Sequence, residues 1–141
     1  DLLASSADVL TDGIGDENKP LREAIKLAQT AGPVRVEFHL NAAGNPSAGG
    51  VECLSAASQS PLAKALCSTV ANVLQIPARG GYGGWKPENS GQHHRLGFIS
   101  QAHGLILELF FITNKIELDK YQNHKEELAA AVANALIAGN Q

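Results

Sequence analysis

The chain has 141 residues, 44% of them hydrophobic, with 14 glycines and a formal net charge of −3 at pH 7. That is enough chain to bury one core, so a single domain over 1–141 is expected, and the lack of clustered Lys and Arg argues against a nucleic-acid partner. No apolar run reaches the roughly 20 residues of a membrane helix and none has the pattern of a secretory signal, so no membrane insertion is expected.

The elements follow in chain order. The chain opens at "DLLASSADVLTDG" without an initiator Met, and has no Met at all, which suggests a cut or processed start. A strand is expected at 7–11. In "NKPLREAIKLAQTAG" Pro20 suits the first turn of a helix, Leu21, Ile25 and Ala28 share one face, and Gly32 ends the segment. Over 34–40 the alternation puts Val34, Val36, Phe38 and Leu40 on one face of a strand and Arg35, Glu37 and His39 on the other. A further strand is expected at 50–55. From Ser60 to Leu74 the positions Leu62, Ala65, Leu66, Thr69, Val70, Val73 and Leu74 recur at helical spacing, with Pro61 just inside the start. Residues 77–95 read as a long Gly/Pro-rich loop carrying the sole Trp. Strands are expected at 95–100 and 104–111, the second apolar enough to be central. Asn123, with Glu126 three residues on, reads as the cap of a last helix that buries Leu128, Ala131, Val132, Ala135 and Leu136 and closes at Gly139. Strands alternating with helices give an α/β fold, a mixed and mostly parallel sheet flanked by helices on both faces. In such folds ligands gather beyond the carboxyl ends of parallel strands.

His39 lies at such an end. It is either a ring hydrogen-bonded at a strand terminus or a metal ligand, the role that neutral imidazole fills most often in proteins. Glu108 is the only charge between Gly104 and Asn114. A carboxylate there is costly to bury, so its pKa should rise toward the range of a general base unless a cation offsets the burial. The alternative is an edge-of-core Glu that reaches water or pairs with Arg95. Glu52 is either a third polar group of the same crevice or the exposed member of an alternating strand, the second being the expectation. His93, His94 and His103 are further candidates, and His124 is expected at the surface. Cys53 and Cys67 read as small buried side chains. No serine elbow, phosphate loop or CxxC pair is present, which leaves metal-assisted hydrolysis as the strongest enzymatic reading.

Three linked motifs carry a resemblance. "VEFHLNAAGNPSAGGVECL" is similar to a strand ending in His-x-Asn-Ala, then a loop and a Gly-x-Glu strand. "GLILELFFITNKIELDKY" resembles a Glu-bearing strand that turns through Thr/Ser-Asn into an acidic helix. "VLTDG…KPLREAIKLAQTAG" matches the segment placed before the His strand. Together they resemble the zinc-dependent N-acetylmuramoyl-L-alanine amidases of the type 3 class, particularly short phage lysins, over nearly the whole chain.

The resemblance implies Zn2+ as cofactor, His39 as one of its ligands and Glu108 as the catalytic glutamate. It places Glu52 near the site and gives Asn41 and Arg95 roles in shaping the groove. The substrate would be peptidoglycan, cut between muramic acid and L-alanine. Such enzymes hold zinc with an early His and a Glu as well. Neither has a match here, so the corresponding first strand and helix are expected upstream of residue 1, with substitution by His93, His94 or His103 as the rival. Tyr82 and Trp85 could wall the glycan side; Trp85 packing its own loop is the alternative. A monomer is expected, held in the host cytoplasm before lysis and acting in the periplasm or cell wall. A non-catalytic wall-binding module of the same fold and a metal hydrolase of another amide are the competing functions.

Overall fold

The structure, a computed structural model, describes residues 7–17, 19–88, 90 and 96–139. Helix α1 (Leu21–Thr30) leads into strand β1 (Val36–Asn41), then β2 (Glu52–Ser55), a 3-10 turn (Ala57–Gln59) and α2 (Ser60–Leu74). Strand β3 (Trp85–Pro87), the short helix α3 (Gly97–Ser100), β4 (Leu105–Phe111) and α4 (Lys115–Gly139) complete the order.

The sheet order is β1-β4-β2-β3, so the most apolar strand is indeed internal. β1 runs parallel to β4 and β2 parallel to β3, while β2 and β4 are antiparallel. The sheet is therefore mixed, with two of its three pairings parallel. The ends of β1 and β4 and the starts of β2 and β3 all meet at one rim.

Alternation along the strands divides the core in two. Cys53, Leu105 and Leu107 pack with Leu66, Val70 and Leu74 of α2 and Leu128, Val132 and Leu136 of α4. Leu54 and Ile106 face the other way, onto Ile25 of α1 and Phe98 and Ile99 of α3. Helices thus cover both faces. No helix among the described residues is long and apolar enough to cross a membrane.

Several expectations are corrected. Residues 7–11 form no strand and are exposed. Of the expected strand at 95–100, residues 97–100 are helical. Phe98, Ile99 and Ala102 all enter one cluster, a grouping that helical spacing allows and strand alternation forbids. In α1, Ile25 is buried but Leu21 is 55% exposed. The buried stripe of α2 uses Ala63 and Cys67, and Ala65 is exposed. The last helix begins at Lys115, well before the expected cap at Asn123. Asn114 caps it, its side-chain oxygen accepting the N–H groups of Ile116 and Glu117. α2 ends at Gln75, which takes left-handed backbone (φ 51°, ψ 49°).

Candidate active site

The site is a row of polar side chains laid across the sheet by register. His39 of β1 pairs with Glu108 of β4, and Glu108 with Glu52 of β2. Paired residues project to the same face, so the three groups stand side by side on the α1/α3 side of the sheet. The sequence could not establish that adjacency, because β1 and β4 are far apart in the chain.

His39 Nδ1 lies 3.8 Å from Glu108 Oε1, and Nε2 lies 3.1 Å from Glu37 Oε1. The ring is half exposed, whereas Glu108 is buried. The Glu37 hydrogen bond raises the imidazole pKa above its ordinary value; partial burial opposes this, and the charges of Glu37 and Glu108 add to it. Glu37, on the same face of the alternation as His39, is a member of the site that no sequence motif singles out. An open depression of about 690 Å³ runs from His39 and Glu37 along β1, past Arg35, to Ala28 of α1.

Glu52 is only 1% exposed, which corrects its reading as an exposed strand residue. Its carboxylate receives Arg79 Nε at 2.7 Å and Lys86 Nζ at 2.6 Å on one oxygen, and Asn41 Nδ2 at 3.1 Å on the other. Burial pushes its pKa up, but the two cations outweigh burial and hold it below the ordinary value. The register of β1 against β4 shifts between His39 and Asn41, and the Asn41 amide reaches across the row to Glu52. Arg79 also donates to the Gly49 carbonyl at 2.8 Å and lies over the Phe111 ring. Arg79 and Lys86 sit inside the segment read as a loop; treating "WKP" as a strand would have put Lys86 on the Glu52 face.

A second buried carboxylate braces the rim. Glu117 accepts the N–H of Gly50 at 2.7 Å and that of Phe111 at 3.0 Å. It thereby ties the loop before β2 to the end of β4. Gly50 has φ +101° and a Cβ there would meet the Pro77 carbonyl at 2.5 Å, so this passage needs glycine. Asn114 and Glu117, three residues apart, are a capping pattern that could have revealed this corner.

Other candidates fall elsewhere. Trp85 pairs with Cys53, on the face opposite Glu52. There it donates from Nε1 to Ser55 Oγ and lies beneath Lys64 of α2, so it packs its own segment onto the domain. Tyr82 is exposed and meets Trp85 edge-on at 6.4 Å. His103 precedes β4, at the end of that strand remote from Phe111 and the rim. His124 is exposed on α4 and pairs with Glu127. Arg95, His93 and His94 lie outside the described residues. Cys53 and Cys67 are free and fully buried, and burial pushes the Cys67 thiol up to about 12.

Among the described residues no group of three or more His, Cys, Asp or Glu is arranged to hold a metal ion. Glu52 is engaged by two cations, and Glu37 and Glu108 contact opposite nitrogens of the His39 ring. A catalytic zinc generally has three protein ligands. The described residues offer His39 and do not by themselves fit a zinc site.

The site is thus an imidazole beside a buried carboxylate at the ends of two parallel strands of an α/β fold, with the imidazole lining a wide depression. The profile of the N-acetylmuramoyl-L-alanine amidase family matches residues 1–138. A crystal structure assigned as an N-acetylmuramoyl-L-alanine amidase from Neisseria meningitidis aligns at 38% identity and TM-score 0.85, covering 97% of this chain and 77% of that one. The chain belongs to the N-acetylmuramoyl-L-alanine amidase family, enzymes that hydrolyse the amide joining muramic acid to L-alanine in peptidoglycan. At 22% identity the fold is also shared with an N-acetylmuramoyl-L-alanine amidase from Clostridium difficile 630 (TM-score 0.72; 98% and 75% of the two chains). The catalytic domain of the CD27L endolysin, which targets Clostridia difficile, is likewise 22% identical (TM-score 0.65; 91% and 67%). No curated protein sequence matches the chain significantly.

Proposed function

We propose that Glu108 is the general base of this amidase and that His39 is its partner at the scissile bond. The observation that carries this is the β1–β4 register, which holds the imidazole 3.8 Å from a buried carboxylate. Water placed between them attacks the carbonyl carbon of the lactyl–alanine amide. Glu108 takes the water proton and passes it to the departing amine, so the C–N bond breaks to leave a carboxylate and free L-alanine nitrogen. Asn41 and Glu52 keep the rim in register, and Arg95 is proposed to shape the groove.

Zinc dependence is a general property of the family, and we propose His39 as one ligand, with the others drawn from outside the described residues. The likeness to an endolysin catalytic domain supports a lysin that waits as a monomer in the host cytoplasm and acts on the wall after release. The test uses a soluble muramyl-peptide and measures amine release and bound zinc. Glu108→Gln is expected to lose about 10²–10⁴-fold in turnover while keeping its zinc, and His39→Ala to lose both. Unchanged turnover in Glu108→Gln would remove the base assignment, and no amine release by the unsubstituted chain would remove the catalytic reading.

A further inference from the structure

The polar row is unevenly charged along its length. At the β1 end stand Glu37, His39 and Glu108. At the β2–β3 end one carboxylate, Glu52, receives two cations, Arg79 and Lys86. Arg79 is committed: it donates to Glu52 and to the Gly49 carbonyl and covers the Phe111 ring. Lys86 is differently placed. Among the described residues its ammonium contacts Glu52 Oε2 alone, and its side chain is 30% exposed. Glu52 would keep Arg79 and Asn41 without it. One charge is therefore surplus to the neutralisation of Glu52, and it sits at the solvent boundary of the same sheet face.

We propose that Lys86 is a specificity-determining residue that binds a carboxylate on the second residue of the stem peptide, an acidic-peptide subsite that orients the substrate across the strands. This rests on the amidase reading above. Distances agree with it. Adjacent strands are about 4.8 Å apart, so Glu52 on β2 is one strand beyond Glu108, and Lys86, rooted on β3 a strand further, brings its ammonium back to within 2.6 Å of the Glu52 carboxylate. An extended peptide advances at most about 3.6 Å per residue, so a carboxylate on the second residue lies about 7 Å from the cleaved amide. With the reacting amide over His39 and Glu108, that carboxylate falls beside the ammonium.

The experiment compares two soluble probes, N-acetylmuramoyl-L-alanine extended by a second residue with a free α-carboxylate, and the same compound with that carboxylate amidated. Binding to the full chain is measured by calorimetry at low and high salt. The acid is expected to bind about tenfold more tightly, the size of one charge-assisted hydrogen bond, and salt should shrink the difference. In Lys86→Met the acid-to-amide ratio is expected to fall to about one, and in Lys86→Arg to recover. A purely structural role for Lys86 would weaken both probes alike and leave the ratio in place, which overturns the proposal. Equal binding of the two probes by the unsubstituted chain overturns it as well, without touching the amidase reading. Binding of neither probe overturns both. Should Lys86→Met fail to fold, the salt-sensitive preference of the unsubstituted chain decides alone.

Discussion

Glu52 is a carboxylate that burial works to protonate and two cations keep ionised. Its folded pKa lies below its ordinary 4.5, so its contribution to stability is complete above that value and is lost as pH falls through the depressed folded pKa. Acid should therefore destabilise the fold through this residue, and Glu52→Gln is expected to flatten that part of the profile. Denaturant midpoints at pH 7 and near pH 3.5 would show it; an equally steep loss in the variant would assign the acid sensitivity to other groups. Single residues were unequally legible beforehand. His39 and Glu108 stand out because each breaks a local hydrophobic pattern. Arg79 and Lys86 break none: their partner Glu52 lies 27 residues from Arg79, in a segment whose glycines hide the strand. The burial of Glu52 itself follows from β2 having neighbours on both sides, a property of the sheet rather than of "GGVEC".

At the scale of elements, the corner where β4 turns into α4 does the joining. Asn114 caps the helix and also donates from Nδ2 to the Ala48 carbonyl, while Glu117 takes two buried backbone N–H groups from different segments. Glu117→Ala leaves the Gly50 and Phe111 donors without that acceptor, at a cost of about 1–3 kcal/mol each. Loss of melting temperature with a parallel fall in turnover is the expected result, since the loop ahead of Glu52 is released with the end of β4. A variant as stable as the parent would show that water replaces the carboxylate. The helices α2 and α4 were readable from periodicity because each repeats its apolar stripe over several turns. The start of α4 was not, since two capping patterns compete, Asn114 with Glu117 and Asn123 with Glu126, and only contact with the Ala48–Gly50 loop selects the first. The short α3 offers a single turn, too little for any period to register.

Taken whole, the molecule reconciles a charged site with an apolar interior by giving each face of one sheet a different task. The α2/α4 face is core along its length, with Leu66, Val70, Leu105, Leu107 and Phe110 all fully buried. The opposite face is core only in its lower half, through Leu54 and Ile106 against α1 and α3. Its upper half is given to the polar row. Glu52 can stand there ionised because cations reach it from β3 and from the loop that precedes it. The fold class was open to sequence reasoning because that division leaves ordinary alternation in every strand. The coupling of site to rim was not, since it depends on four segments meeting at one edge.

Gln75 lets heat tolerance be raised without disturbing any of this. A left-handed conformation costs an L-residue with a β-carbon roughly 1–2 kcal/mol, and glycine almost nothing. Gln75 bears that cost at the end of α2, where its carbonyl accepts the Lys120 amine at 2.6 Å and its side chain returns to Asn72. Both α2 and α4 are held there by backbone atoms that Gln75→Gly would keep. The substitution is expected to raise the melting temperature by about 2–4 °C, and calorimetry would read it. No gain would mean that the Asn72 contact repays the strain. A gain would mark the tip of α2 as a place where the enzyme can be hardened for use in warm or prolonged digestions with its chemistry left alone.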